Sequence, residues 1–158
     1  MTTAFPANSA TDMELTVTPF EKEDISALAE IERENFSFPF KEKDFLDIYE
    51  SDISSVLVAR HNKQAVGYVS FTVIIDECQI INFATKNEFK RQGVGKKVME
   101  ALIEHAKKNG VAKIFLEVRE SNFPAISLYE KYGFFKVGIS KNHFASPREN
   151  AVLMNLEF

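Results

Sequence analysis

The chain predicts an α+β fold in which a central mixed, mostly antiparallel sheet of about seven strands is flanked by about four helices. Three observations carry that prediction. β-rich runs recur between turn residues, and among them stand segments whose apolar residues repeat at helical spacing. Three of the runs follow one another through short turns, as antiparallel hairpins do, whereas a later one follows a strand and a long helix, as a right-handed parallel crossover does. Finally, 158 residues with 45% hydrophobic and 27% charged side chains suffice for one buried core without metal or disulfide support.

Glu14 to Val17 alternates polar and apolar residues before Pro19 and reads as a first strand. Between Lys22 and Asn35, residues Ile25, Leu28, Ala29 and Ile31 recur at helical spacing, and Phe36-Ser37-Phe38-Pro39-Phe40 breaks the pattern. Lys43 to Glu50 reads as a second short helix with Phe45, Ile48 and Tyr49 inward. The aromatic link between these helices is compatible with core packing and with a substrate-facing loop. Ser55 to Arg60 and Ala65 to Ile75 are strands joined by the turn pair Asn62-Lys63; Asp76-Glu77 marks the next turn and Cys78 to Thr85 the next strand. Val94, Val98, Leu102 and Ala106 then lie four apart on one face of a helix that Gly110 closes. Lys113 to Val118 is the crossover strand. Asn122 and Pro124 open a helix that runs to about Tyr132 and stops at Gly133. Phe134 to Ser140 and Ala151 to Phe158 are the last strands, with an irregular polar link through Pro147.

Residues 1–12 are rich in Thr, Ser, Ala and Asn without periodicity and read as a flexible leader, with residues 13–158 as a single domain. No basic region with a following apolar run opens the chain, and no stretch approaches the ~20 apolar residues that span a bilayer. A cytoplasmic protein without a membrane partner is expected. The single cysteine, Cys78, lies in an apolar stretch, which fits a reducing compartment and a small buried hydrophobe. A net charge of −4 argues against direct nucleic-acid binding and suits a basic peptide or amine. No Cys, His and carboxylate spacing suggests a metal site. Monomer and weak dimer are both compatible with the composition.

Lys90-Arg91-Gln92-Gly93-Val94-Gly95-Lys96 is the most informative segment. Glycines allow a tight curl, and the helix that follows presents unpaired N–H groups and the positive end of its dipole, an arrangement suited to a pyrophosphate. The loop lacks the Gly-Lys-Ser/Thr ending of a nucleoside-triphosphate loop and the third glycine of a dinucleotide fingerprint, which argues against ATP and NAD.

Taken in order, Asn82-Phe83-Ala84-Thr85, the loop itself, Leu116-Glu117-Val118-Arg119, Ser121-Asn122 and Leu128-Tyr129-Glu130-Lys131-Tyr132-Gly133-Phe134 resemble the GNAT acyltransferase superfamily, and within it the RimI-type ribosomal-protein-alanine N-acetyltransferases. The likeness runs from about Glu14 to Leu156. It implies acetyl-CoA as co-substrate, with its pyrophosphate on the backbone amides of Arg91, Gln92, Gly93, Val94, Gly95 and Lys96. The backbone of Phe83, Ala84 and Thr85 would pair with the pantetheine arm as a strand edge takes an extended peptide, and Asn122 would add a side-chain contact. The acceptor it implies is a protein N-terminus, that of a small-subunit ribosomal protein.

Acetyl transfer requires a neutral amine, and an α-amino group titrates near ~8, so a base is useful. Glu117 sits within the apolar run Ile114 to Val118, where partial desolvation would raise its pKa toward that of a working base. The resemblance assigns the matching glutamate this role. It likewise makes Tyr129 the proton donor to the departing thiolate. A backbone N–H near Thr85 is the candidate oxyanion donor. No cysteine lies near these motifs, so direct attack in a ternary complex is expected rather than an acetyl-enzyme.

The chain departs from the pattern at Lys90, at Phe38-Pro39-Phe40 where Phe-Pro-Trp is typical, and at His143-Phe144 and Glu149-Asn150-Ala151 where paired tyrosines and Glu-Asp-Ala are common. His143 is a candidate second proton carrier as well as an ordinary surface histidine; His61 and His105 offer less. Two other functions stay open on sequence: a GNAT enzyme for a small amine, amino acid or lysine side chain, and a noncatalytic acyl-CoA-binding module.

Overall fold

The computed structural model describes residues 14–158, so the expected leader over residues 1–12 lies outside them. The strands are β1 (Thr16–Pro19), β2 (Ser54–His61), β3 (Gln64–Ile74), β4 (Glu77–Thr85), β5 (Lys113–Arg119), β6 (Phe135–Ala145) and β7 (Arg148–Glu157). The helices are α1 (Ile25–Asn35), α2 (Glu42–Tyr49), α3 (Val94–Lys108) and α4 (Phe123–Lys131), with 3-10 turns at Lys22–Asp24 and Asn87–Phe89. The strands form a seven-stranded sheet in the order β1-β2-β3-β4-β5-β7-β6. β1 and β2, β5 and β7, and β6 and β7 pair antiparallel, and β4 and β5 pair parallel across the α3 crossover, as the sequence predicts. The chain divides into two compact units, Met1–Ser70 with Asn82–Ile103, and Phe71–Ile81 with Glu104–Phe158.

In the first unit, α1 and α2 bury Leu28, Ala29, Ile31 and Phe45 against Val56, Val58, Ala65, Tyr68 and Ala84. Phe45 meets the rings of Phe20, Phe40 and Tyr68 edge-on at 6.3, 5.7 and 5.7 Å, the arrangement aromatic quadrupoles favour. Each such buried side chain stabilises the fold by roughly 2 kcal/mol. The aromatic link splits between its two expected uses, since Phe40 packs on this core while Phe38 is 79% exposed. Tyr49 differs from expectation. At the last position of a short helix it is 45% exposed and meets the ring of Phe20 edge-on at 5.5 Å. Asn62 and Lys63 form the β2–β3 turn with φ of 51° and 70°, the left-handed pair that a two-residue hairpin requires. Asp24 takes both terminal guanidinium nitrogens of Arg60 at 2.7 Å, and Arg60 Nε donates to Thr18 Oγ1 at 2.8 Å. That bidentate pair ties the start of α1 to β1 and β2.

In the second unit α3 ends as predicted. Gly110 has φ 72°, Val111 N–H donates to Ala106 O at 3.0 Å and Gly110 N–H to Lys107 O, so the last carbonyls are satisfied by a left-handed cap. The link expected to be irregular around Pro147 is a β-hairpin, irregular only in the register shift between Ser140 and Phe144. β6 extends to Ala145, Ser146-Pro147 form the turn, and β7 begins at Arg148. β6 is the last strand of the sheet and most of its residues are exposed, so it lacks the alternation by which strands are read. The β3–β4 turn falls on Ile75 and Asp76, one residue before the expected pair, with Ile75 at φ 59° and 94% exposed.

Candidate active site

The loop before α3 is shaped by two left-handed residues, Arg91 at φ 63° and Gly93 at φ 87°. A Cβ on Gly93 would meet nothing within 4 Å, so glycine is needed there for conformation and the space above it is open. Gly93 O accepts the first helical bond, from Lys97 N–H at 3.1 Å, which makes Val94, Gly95 and Lys96 the first turn of α3. No acidic residue stands in that turn to compete with an anion at the positive end of the helix dipole. Gln92 braces the loop by donating to Glu88 O at 3.1 Å.

Gly67 on β3 fixes where α3 begins. A Cβ there would lie 2.5 Å from Val94 Cγ1, 3.2 Å from Ala84 O and 3.7 Å from Thr85 Cα. The helix start and the Ala84-Thr85 stretch of β4, both expected to serve the same ligand, therefore converge on one residue without a side chain. Ala84 and Val94 are buried while Phe83, Thr85, Gln92, Gly93 and Gly95 are half-buried.

Behind β4 lies a polar group that sequence reasoning missed. Glu32 of α1 is 0% exposed; its Oε1 accepts from Phe40 N–H at 2.8 Å and its Oε2 from Asn82 Nδ2 at 2.9 Å. Asn82 N–H in turn donates to Ser70 Oγ at 3.1 Å, and Asn35 Nδ2 donates to Thr85 O at 3.0 Å. The far end of α1 thus holds both the aromatic link and the strand that carries Phe83 to Thr85. Desolvation pushes the Glu32 carboxyl above its ordinary range, against the two hydrogen bonds that lower it. Its signal in the sequence was position: with Ile25, Leu28 and Ala29 it completes the apolar face of α1.

In the second unit, β5 buries Ile114, Leu116 and Val118 and turns Glu117 outward. Glu117 is therefore exposed, and the burial expected from its apolar neighbours does not occur, because those neighbours point to the other face. What meets it is His143, whose Nε2 lies 3.2 Å from Glu117 Oε2. Arg119, on the same face two residues on, pairs with Glu149 Oε1 at 3.2 Å, donates to Ser146 O and Pro147 O, and stacks on Phe144 at 4.4 Å. Hydrogen bonds from Ser121 and Arg119 hold the Glu149 carboxyl below its ordinary value.

Asn122 caps α4, its Oδ1 accepting from Ala125 N–H at 3.2 Å, which commits that oxygen and leaves the amide nitrogen as the group to offer a ligand. Tyr129, about two turns further on, is 8% exposed with its ring 5.6 Å from Phe134. Burial pushes its phenol up to about 12, so it stays protonated throughout the neutral range. Cys78 is 1% exposed with its thiol pushed up to about 12, the small buried hydrophobe expected. No helix among the described residues is long and apolar enough to cross a membrane.

Residues 25–134 match the model of the acetyltransferase (GNAT) family. The [ribosomal protein bS18]-alanine N-acetyltransferase of Escherichia coli (strain K12) is 34% identical over 143 residues, covering 89% of this chain and 96% of that protein. The crystal structure of the ribosomal-protein-S18-alanine N-acetyltransferase from Escherichia coli superposes with a TM-score of 0.84 at 33% identity, over 91% of this chain and 94% of that one. Ard1 from Thermoplasma volcanium superposes at 0.81 with 26% identity, over 90% and 97% of the two chains. The chain belongs to the GNAT acetyltransferase family, and it is an N-acetyltransferase.

Proposed function

We propose that the protein transfers the acetyl group of acetyl-CoA to the N-terminal α-amino group of a protein, an alanine-starting ribosomal protein of the bS18 kind, by direct attack in a ternary complex. The observation that carries this reading is likeness over nearly whole length to a relative named for acetylation of that protein's alanine. The local chemistry agrees with it. An open loop with two left-handed residues, leading into a helix whose first turn has no acidic side chain, suits a pyrophosphate. Thr85 ends a strand whose position is set by Asn35 and Gly67, a place for a preorganised backbone donor to a developing oxyanion.

In this reading Glu117 takes the proton of the acceptor ammonium, freeing the lone pair that attacks the thioester carbonyl. Tyr129 donates toward the departing thiolate. With its phenol at about 12 against ~8.5 for a thiol, complete proton transfer is uphill, so its contribution is a hydrogen bond that stabilises the leaving sulfur as the bond breaks. Asn122 offers its amide nitrogen to the pantetheine arm. Glu117 is the exposed side chain this reading gives to the acceptor amine.

The test is a pair of peptides, one starting with alanine and the other N-terminally blocked but carrying lysine, each incubated with purified protein and acetyl-CoA and read by mass spectrometry. Acetyl should appear on the free α-amino group of the first and leave the second unmodified. Equal modification of the two would instead assign a lysine or small-amine acceptor.

A further inference from the structure

We propose that His143 is the positioning residue of the base, aimed at Glu117 by a bulge in β6. The inference rests on the assignment of Glu117 as base. In the order β5-β7-β6 two ladder spacings, roughly 10 Å, separate the strand of Glu117 from that of His143. On a regular ladder, upright side chains would not meet at 3.2 Å. The ladder is not regular. Ser140 pairs with Ala151 and Phe144 with Glu149, so β6 advances four residues while β7 advances two. Within that bulge Asn142 turns left-handed at φ 53°, and its N–H is taken by Asn150 Oδ1 at 2.9 Å. Bulges of this kind re-aim a side chain.

On β7, the strand between those of Glu117 and His143, Ala151 pairs with Arg119 on one side and Ser140 on the other and contributes only a methyl group. Leu153, the partner of Glu117, lies opposite Gly138, where a Cβ would come 3.6 Å from Leu153 Cδ1. The imidazole is held from three sides. Nδ1 lies 3.3 Å from Ser140 Oγ, the Phe144 ring meets it edge-on at 4.9 Å, and Nε2 faces the carboxylate. A neutral ring satisfies both polar contacts: Nε2–H donates to Glu117 Oε2, and Nδ1 accepts from the Ser140 hydroxyl. Oε2 is thereby fixed, and Oε1 is the oxygen that takes the acceptor's proton. Arg119, two residues along the same face, is engaged with Glu149 and the hairpin turn. The bulge that carries His143-Phe144 thus supplies the support for the base.

Glutamine can place an N–H donor near the position of Nε2, whereas leucine cannot. His143→Leu should lower kcat by about 10-fold or more, since a displaced catalytic group costs rate, without changing KM for acetyl-CoA or the melting temperature. His143→Gln should restore most of the lost rate, and the double variant His143→Leu with Glu117→Gln should be no slower than Glu117→Gln alone. An unchanged kcat in His143→Leu beside a collapsed Glu117→Gln would overturn the positioning role while leaving the base intact. Full turnover by Glu117→Gln would remove the base itself and the inference with it. Equal loss in the leucine and glutamine variants would overturn the donor role and leave only packing.

Discussion

The loop before α3 and the face of β5 solve different problems with different materials. The loop is made of backbone, its shape set by Gly93, by Arg91 and by the close approach of Val94 to Gly67, and it is anchored in a unit with a dense aromatic core. The β5 face is made of side chains, the exposed Glu117 and His143 and the half-buried Arg119 and Glu149, that hold one another across a bulged edge hairpin. A backbone cradle suits a ligand that never changes, because main-chain N–H groups cannot be substituted away. A side-chain array suits recognition that must differ from one acceptor to another, because residues there can be exchanged with little effect on folding.

The largest effect expected from this contrast is on stability. Asp24→Ala would leave Arg60 without its carboxylate partner in a largely buried pair and should cost about 3 kcal/mol in denaturant unfolding. Arg119→Ala, which breaks the more exposed pair, should move the unfolding midpoint much less while loosening the hairpin that carries His143. Gly67→Ala comes next. Its Cβ must displace Val94 and press on Ala84 O, so the variant should lose roughly 1–3 kcal/mol and bind acetyl-CoA more weakly, measurable by calorimetry.

Glu32 probes the first unit through pH. Its folded-state pKa is raised above 4.5, so between those values the folded protein holds more protons than the unfolded one and stability falls as pH rises. Glu32→Gln should flatten that component, seen as a wild-type-minus-variant difference that is largest at neutral pH and shrinks as pH falls toward 4.5. Tyr68→Phe should have the smallest effect. Its hydroxyl is the buried side-chain atom without a hydrogen-bond partner among the described residues, so its removal should be neutral or stabilise by up to about 1 kcal/mol.

The same contrast explains what the sequence revealed. The glycine loop, the apolar face of α3, the Gly110 cap and the parallel crossover were legible because general rules favour them: glycine takes a left-handed conformation most readily, a buried helix face repeats, and a strand-helix-strand connection is right-handed. The β6–β7 hairpin was not, since an exposed edge strand with a bulge has no periodicity to read. Nor could spacing join His143 to Glu117, residues on strands that β7 separates and that meet through the bulge in β6. Glu117 misled in another way. Its apolar neighbours implied burial, yet in a strand neighbours face opposite sides. Glu32 was legible in principle, as a carboxylate at an apolar-face position of α1.

The proposed reading gives donor binding and acceptor activation to separate sets of residues. Glu117→Gln tests that division, with acetyl-CoA affinity and the acetylation rate of an alanine-starting peptide measured on the same preparation. Affinity should stay at the wild-type value while the rate falls by about 10²–10⁴-fold, the contribution typical of a general base. Wild-type turnover, or loss of acetyl-CoA binding in step with the rate, would show that the two tasks are not divided in this way.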